Sequence, residues 1–298
     1  GVHKQAVAPR RGDAPGAGVR AGDQAQLLQI GHHVADGGRR EVQARGAAER
    51  AAAHRLAGLG MVVVLADRDT DKLSVARDAV GGNAVAIATD VSDRDAVNAL
   101  ATHVSQNVGP VSVLMNNAGT GRGGNAYSNP EGWDRVIGTN LMGVVYGVQA
   151  FVPAMVAGDA PGLVINTGSK QGITQPPGDT AYNVSKSGVK ALTEGLAHSL
   201  REETQGRVSA HLLIPGFTYT GMMKAHFTTK PDGAWTPEQV VDVMIDGVSR
   251  GDFYLWCVDN ETTRELDNAR VLWNANDIAE NRPALSRWHP DYKQAFAD

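Results

Sequence analysis

Met61-Val62-Val63-Val64-Leu65-Ala66-Asp67 is a continuous apolar run, rich in β-branched side chains and closed by a carboxylate. An alternating pattern would mark a strand with one wet face. A continuous run marks one buried on both faces, as in a parallel sheet covered by helices on each side. Just upstream, residues 47–59 read as a helix with Ala52, Leu56 and Leu59 on one face, and Gly60 stops it. Downstream the same alternation recurs. Residues 71–80, 94–108, 133–155 and 181–201 read as helices, and residues 84–89, 111–115, 163–167 and 208–214 as strands. Strand-then-helix repetition of this kind gives an α/β fold: a doubly wound parallel sheet, Rossmann-like, in three layers, with ligands at the carboxyl ends of the strands.

The 298 residues carry 28 basic against 32 acidic side chains, a net charge of -4, so no basic excess drives nucleic-acid binding. The longest clean apolar run, residues 61–66, is short of the roughly 20 residues a bilayer needs, so no membrane association is expected. One cysteine, Cys257, can form neither an internal disulfide nor a thiolate metal cluster, and no bound metal is expected. The opening residues show no charged-then-apolar leader, and a cytoplasmic location is expected.

Three segments differ in character. Residues 1–46 are atypical and expected to be irregular; residues 47–251 hold the catalytic domain; residues 252–298 form an extension packed on the domain or on an oligomer partner. Residues 1–50 hold eight basic and five acidic side chains, no aromatic residue, and only Leu27, Leu28, Ile30 and Val34 as an apolar cluster.

The chemistry-bearing residues stand at the strand ends. Asp67 follows its strand directly, where a carboxylate can accept both hydroxyls of an adenosine ribose and repel a 2′-phosphate; a turn or cap carboxylate is an equally good reading of position alone. Asp90-Val91 ends the next strand and Asn116-Asn117-Ala118-Gly119 the one after, where amides and a glycine suit close approach by a flat ligand. Tyr182 and Lys186, four apart in a helix, share a face, and Ser169 lies just past a strand. A phenol, an ammonium and a hydroxyl converging there can protonate and polarise a carbonyl oxygen. Tyr-x-x-x-Lys alone is weak; joined to Ser169, Asn140, Asn116 to Gly119 and Pro215-Gly216 it is specific.

From about residue 51 to residue 220 the chain resembles the short-chain dehydrogenase/reductase family in its compact single-domain branch. The resemblance implies that Tyr182 is the general acid/base and that Lys186 lowers its pKa and holds the nicotinamide ribose. It implies that Ser169 orients the substrate oxygen, that Asn140 supports a proton-relay water, and that Thr220 contacts the nicotinamide carboxamide. Asp67, Asp90, Val91, Asn117, Ala118, Gly119, Pro215 and Gly216 would complete the cofactor site, with NAD expected over NADP.

One part of the family pattern is not written. The phosphate-binding glycines fall, by counting back from Leu56 and Asp67, near Gln43, Ala47 and Glu49, where only Gly46 is close. Three readings fit: a divergent segment in which residues 27–34 supply the first strand, a catalytically silent relative that serves as a binding or assembly protein, or an upstream reading-frame error. The last is favoured by the Arg-, Gly-, Ala- and Gln-rich text, and it leads to the expectation that residues 1–46 form neither a first strand nor a phosphate-binding turn.

Residues 217–235, with Met222, Met223, Phe227 and Trp235, read either as an adaptable apolar lid or as a helix on the core. A lid implies a mid-sized apolar or aromatic alcohol or ketone. Trp256, Trp273, Trp288 and Tyr292 in the tail imply wrapping on the same subunit or a homo-oligomeric contact, dimer or tetramer.

Overall fold

The computed structural model describes residues 25–29, 47–82, 84–220 and 227–297. Seven parallel strands form one sheet in the order β3-β2-β1-β4-β5-β6-β7. They are β1 (Ala25–Gln29), β2 (Val62–Asp67), β3 (Ala84–Ala88), β4 (Val111–Asn116), β5 (Gly162–Thr167), β6 (Val208–Ile214) and β7 (Tyr254–Trp256). The order reverses at β1 and β4, and the crevice at that switch point is where an α/β sheet binds its ligand.

Helices cover both faces. On one, α1 (Ala47–Gly58), α2 (Thr70–Val80) and α8 (Pro237–Arg250) pack Ala52, Leu56, Leu73, Val240 and Met244 against Val63, Leu65, Met115 and Ile165. On the other, α3 (Arg94–Asn107), α5 (Gly143–Ala157) and α7 (Thr180–Thr204) contribute Val97, Leu100, Phe151, Met155 and Leu200 against Val64, Leu114 and Val164, and α4 (Pro130–Ile137) packs on α7. A short α6 (Gln171–Thr174) precedes α7, and α9 (Arg264–Ala279) and α10 (Lys293–Ala297) close the chain. Val63, Val64 and Leu65 in succession are fully buried, as the unbroken apolar run requires.

Two expectations are corrected here. Residues 25–29 do form a first strand, paired with β2 from Ala25↔Val62 to Gln29↔Ala66 and with β4 through Leu28↔Met115. Ladder pairing is a backbone property, so a short segment holding Leu27 and Leu28 can fill the slot. The turn expected after it lies outside the described residues. The sheet also continues past residue 251, because β7 pairs with β6 from Leu212↔Tyr254 to Ile214↔Trp256. Pro130–Ala157 is long and apolar enough, by length and composition alone, to cross a membrane. Counting uninterrupted runs missed it because glycines and single polar residues punctuate it. In the fold, its Val144, Phe151, Val152 and Met155 are buried in the core.

Pro130–Ala157 is interrupted by a π-helical turn over Gly138–Met142. Such turns are rare and gather at functional sites. This one carries Asn140.

Candidate active site

The carboxyl ends of β4 and β5 are stitched together by side chains. Asn116 Nδ2 donates to Asn166 Oδ1 at 2.9 Å, and Asn166 Nδ2 donates to Thr193 Oγ1 on α7 at 3.0 Å. One residue further on, Thr167 Oγ1 donates to Asn117 Oδ1 at 2.7 Å. These buried bonds set the height of α7 against the strand ends.

Asp179 caps α7, accepting from the Tyr182 amide at 3.2 Å. The same carboxylate accepts the backbone N–H of Arg122 at 2.7 Å and those of Gly123 and Gly124 at 3.1 and 3.2 Å. The loop after β4 is thereby pinned to the turn of helix that carries Tyr182. The Ser169 hydroxyl neighbours the Tyr182 phenol. Burial pushes that phenol above its ordinary value, the Ser169 hydroxyl pulls it down, and the Asp179 charge pushes it up, for a net rise. The lowering expected of the tyrosine is therefore not supplied by the chain's own side chains.

Lys186 sits one turn along, its Nζ 5.9 Å from the Tyr182 ring centre. Its side chain is 4% exposed, and burial lowers its pKa to about 8. Among the described residues its ammonium has one hydrogen-bond acceptor, the Thr167 carbonyl at 2.8 Å, out of the three bonds it can donate. Asn140, fully buried, receives the Thr120 N–H on Oδ1 at 2.7 Å and donates through Nδ2 to the Thr120 carbonyl at 2.8 Å and to Ser185 Oγ at 3.1 Å. A Cβ placed on Gly119 would lie 3.6 Å from Asn140 Oδ1 and 3.7 Å from Lys186 Nζ. Asn117, Gly119, Asn140, Ser169, Tyr182 and Lys186 thus converge on one cleft. Ala118 is buried beneath it.

Asp67, Asp90 and Val91 stand apart, at the ends of β2 and β3. Asp67 is 3% exposed and accepts the Asp69 N–H at 2.9 Å; burial raises its pKa to about 7 against the pull of Lys72 and Arg68. Asp90 accepts from the Arg68 guanidinium at 3.2 Å and from the Ser92 N–H and hydroxyl at 2.9 and 2.6 Å. Although burial opposes it, these bonds hold its carboxyl below the usual value. Val91 is buried against the position of Gly143. Pro215 and Gly216 follow β6, and Thr220, whose N–H bonds the Thr218 carbonyl at 2.9 Å, closes the turn beyond them.

The arrangement fits the ribose and nicotinamide end of a dinucleotide: a buried ammonium with donors to spare beside Gly119, and a hydroxyl and a phenol side by side. A carboxylate at the end of β2 fits the other ribose. Residues 30–46, just upstream of α1 at Ala47, lie outside the described residues.

Sequence reading overlooked Asp179, although an Asp just before a helical pattern is a cap signal. It also overlooked Lys170, Asp259 and Asp267, which no spacing rule connects.

Residues 45–231 match the family model described as short chain dehydrogenase. The oxidoreductase SadH of Mycobacterium tuberculosis is 30% identical over 219 residues, covering 68% of this chain and 79% of the relative. A short-chain dehydrogenase/reductase from Burkholderia phymatum, solved in complex with NAD, is 30% identical and superposes with TM-score 0.72 over 87% of this chain and 96% of its own. A metagenomic short-chain oxidoreductase, solved with NADP, is 29% identical, with TM-score 0.59 over 77% of this chain and 92% of its own. The match to the family model over more than half its length, on a Rossmann-like sheet, places the chain among the oxidoreductases of the short-chain dehydrogenase/reductase family.

Proposed function

We propose that the protein interconverts a secondary alcohol and a ketone, with Tyr182 as general acid/base and NAD preferred to NADP. The single observation that carries this reading is the juxtaposition of the Ser169 hydroxyl and the Tyr182 phenol beside the buried Lys186 ammonium. A ketone oxygen placed at that pair accepts hydrogen bonds from both hydroxyls, and Tyr182 passes its proton to the oxygen as negative charge develops there. Gly119 and Pro215-Gly216 would hold a nicotinamide, which would supply or accept the hydride. The raised Tyr182 pKa keeps the phenol protonated at neutral pH, which suits reduction. Oxidation needs the phenolate, which requires positive charge close by, and a bound oxidised nicotinamide would bring it.

In this reading Lys186 would bond a ribose with its remaining donors, Asn140, which holds the Thr120 backbone, would support a proton relay, and Thr220 would contact the carboxamide. Asp67 favours NAD: a buried carboxylate there accepts ribose hydroxyls and repels a 2′-phosphate. Arg68, the residue best placed to bind that phosphate, is engaged with Asp90 at 3.2 Å.

The edge-to-face pair Phe217–Phe227, with centroids 6.2 Å apart, supports a mid-sized apolar or aromatic substrate. Leu272 and Ile278, exposed on α9, support a homo-oligomeric contact. The lone buried Cys257 is consistent with a cytoplasmic protein.

The test is NADH formation from secondary alcohols by the full chain and by Tyr182→Phe. Loss of the hydroxyl should lower kcat by on the order of a thousandfold, with the thermal midpoint unchanged, because the ring still packs. Turnover retained in the phenylalanine variant would refute the assignment.

A further inference from the structure

Ser169 is followed by a lysine whose ammonium is almost enclosed. Lys170 Nζ lies 3.1 Å from Asp259 Oδ2 and 2.6 Å from Asp267 Oδ2, and the three side chains are 14%, 8% and 3% exposed. Both carboxylates come from beyond β7: Asp259 from the segment after it and Asp267 from α9. Each has a second anchor. Asp259 Oδ2 accepts the Phe217 N–H at 3.2 Å, and Asp267 Oδ2 accepts the Trp256 indole N–H at 2.9 Å, with Arg270 Nη1 3.7 Å from Oδ1. The Lys170 amide in turn faces the Pro215 carbonyl at 3.4 Å. The loops after β5, β6 and β7 therefore meet on one ammonium.

Gly216 is part of the same device. A Cβ there would lie 2.7 Å from Asp259 Oδ2 and 2.9 Å from both Cε and Nζ of Lys170, so any other residue would have to displace the pair that passes beneath the turn. A buried ion cluster contributes little stability that apolar packing could not supply, but it is strict about geometry.

We infer that Lys170, Asp259 and Asp267 are positioning residues that fix Ser169 and the Pro215–Phe217 turn, so that the carboxyl-terminal segment completes the active centre. This rests on the reading of Ser169 as the hydroxyl that meets the substrate oxygen.

Two measurements separate the parts of the inference. Hydrogen–deuterium exchange on the full chain reads the positioning directly, whatever the activity. In Asp259→Asn and in Asp267→Asn, residues 168–175 and 215–219 should exchange about tenfold faster. Arg250→Ala, which cuts the exposed Arg250–Asp252 pair on the same side of the chain, should leave both segments unchanged. Should Asp267→Asn fail to fold, Asp259→Asn carries the same expectation, because Asp267 still holds Lys170. Unchanged exchange in Asp259→Asn overturns the positioning role.

Kinetics with NAD and a secondary alcohol read the consequence. kcat should fall about tenfold with KM for the alcohol within about threefold, the pattern of a displaced reacting group. Faster exchange with unchanged kcat overturns the link to Ser169. A parent chain that shows no turnover with any alcohol counts against the proposed reaction, while the exchange result still decides the positioning.

Discussion

The two halves of the sheet are built on different principles. From β4 to β6 the strand ends carry side chains that bond to one another: Asn116 to Asn166, Thr167 to Asn117, Lys186 to the Thr167 carbonyl. From β1 to β3 the strand ends carry isolated carboxylates, Asp67 and Asp90, held by their own turns and by Arg68. In the proposed function the first half does the chemistry on an oxygen atom and the second recognises half of a dinucleotide. The central strand β1 is defined by what it pairs with rather than by an apolar run. Geometry that must be accurate to fractions of an ångström requires interlocking polar side chains, whereas recognition of a ribose requires one well-placed group.

The most forceful way to break this contrast is to interrupt β1. Proline at Leu28 removes a ladder donor from a strand paired on both sides, at a cost of about 3 kcal/mol or more. Denaturant unfolding of Leu28→Pro beside Val164→Pro, in the interior of β5, should show comparable losses. No loss at Leu28 would mean that β1 contributes nothing to stability.

A smaller effect belongs to the recognition half alone. Asp67→Ala should shift the NAD/NADP ratio of kcat/KM toward NADP by on the order of 10- to 100-fold, since like charges about 4 Å apart at a protein surface repel by about 4 kcal/mol before relaxation. Because burial raises the Asp67 pKa to about 7, the carboxylate forms only as pH rises through that value, and the parent's discrimination against NADP should grow from pH 6 to pH 8. A ratio that is flat with pH, or an NADP preference in the parent, would refute the assignment.

The smallest expected effect tests the catalytic half. Asp179→Asn keeps a capping oxygen but loses its charge, so stability should fall by about 1 kcal/mol or less. The same change removes a charge that pushes the Tyr182 phenol up, so the pH midpoint for alcohol oxidation should move downward. An upward or absent shift would break the coupling between the cap and the tyrosine.

Where the sequence was legible, physics had left a local trace. Buried parallel strands must be apolar throughout, so the strands expected at residues 84–89, 111–115, 163–167 and 208–214 agree with β3 to β6 within one residue at each end. Tyr182 and Lys186 were legible because helical spacing puts them on one face. β1 was not, since Gln26 and Gln29 interrupt its apolar character and its pairing depends on partners 37 and 87 residues away. The Lys170 cluster was not legible either: Asp259 and Asp267 approach that lysine only once β7 has docked on β6. The π turn at Gly138–Met142 leaves no composition signal, because it changes the backbone count per turn and not the residues used.

The place of β1 in the strand order has a consequence for the route by which the chain folds. As the polypeptide emerges, β1 appears before either neighbour, yet its second edge is matched only when Met115 is available. Until then the strand exposes unpaired N–H and C=O groups that any other extended segment can bind. Closing so long a loop before it gains a partner makes assembly slow relative to helix formation, with the switch-point crevice created at the closing step. The ligand crevice and the hazard of misassembly therefore share one origin, a strand inserted between partners that arrive later.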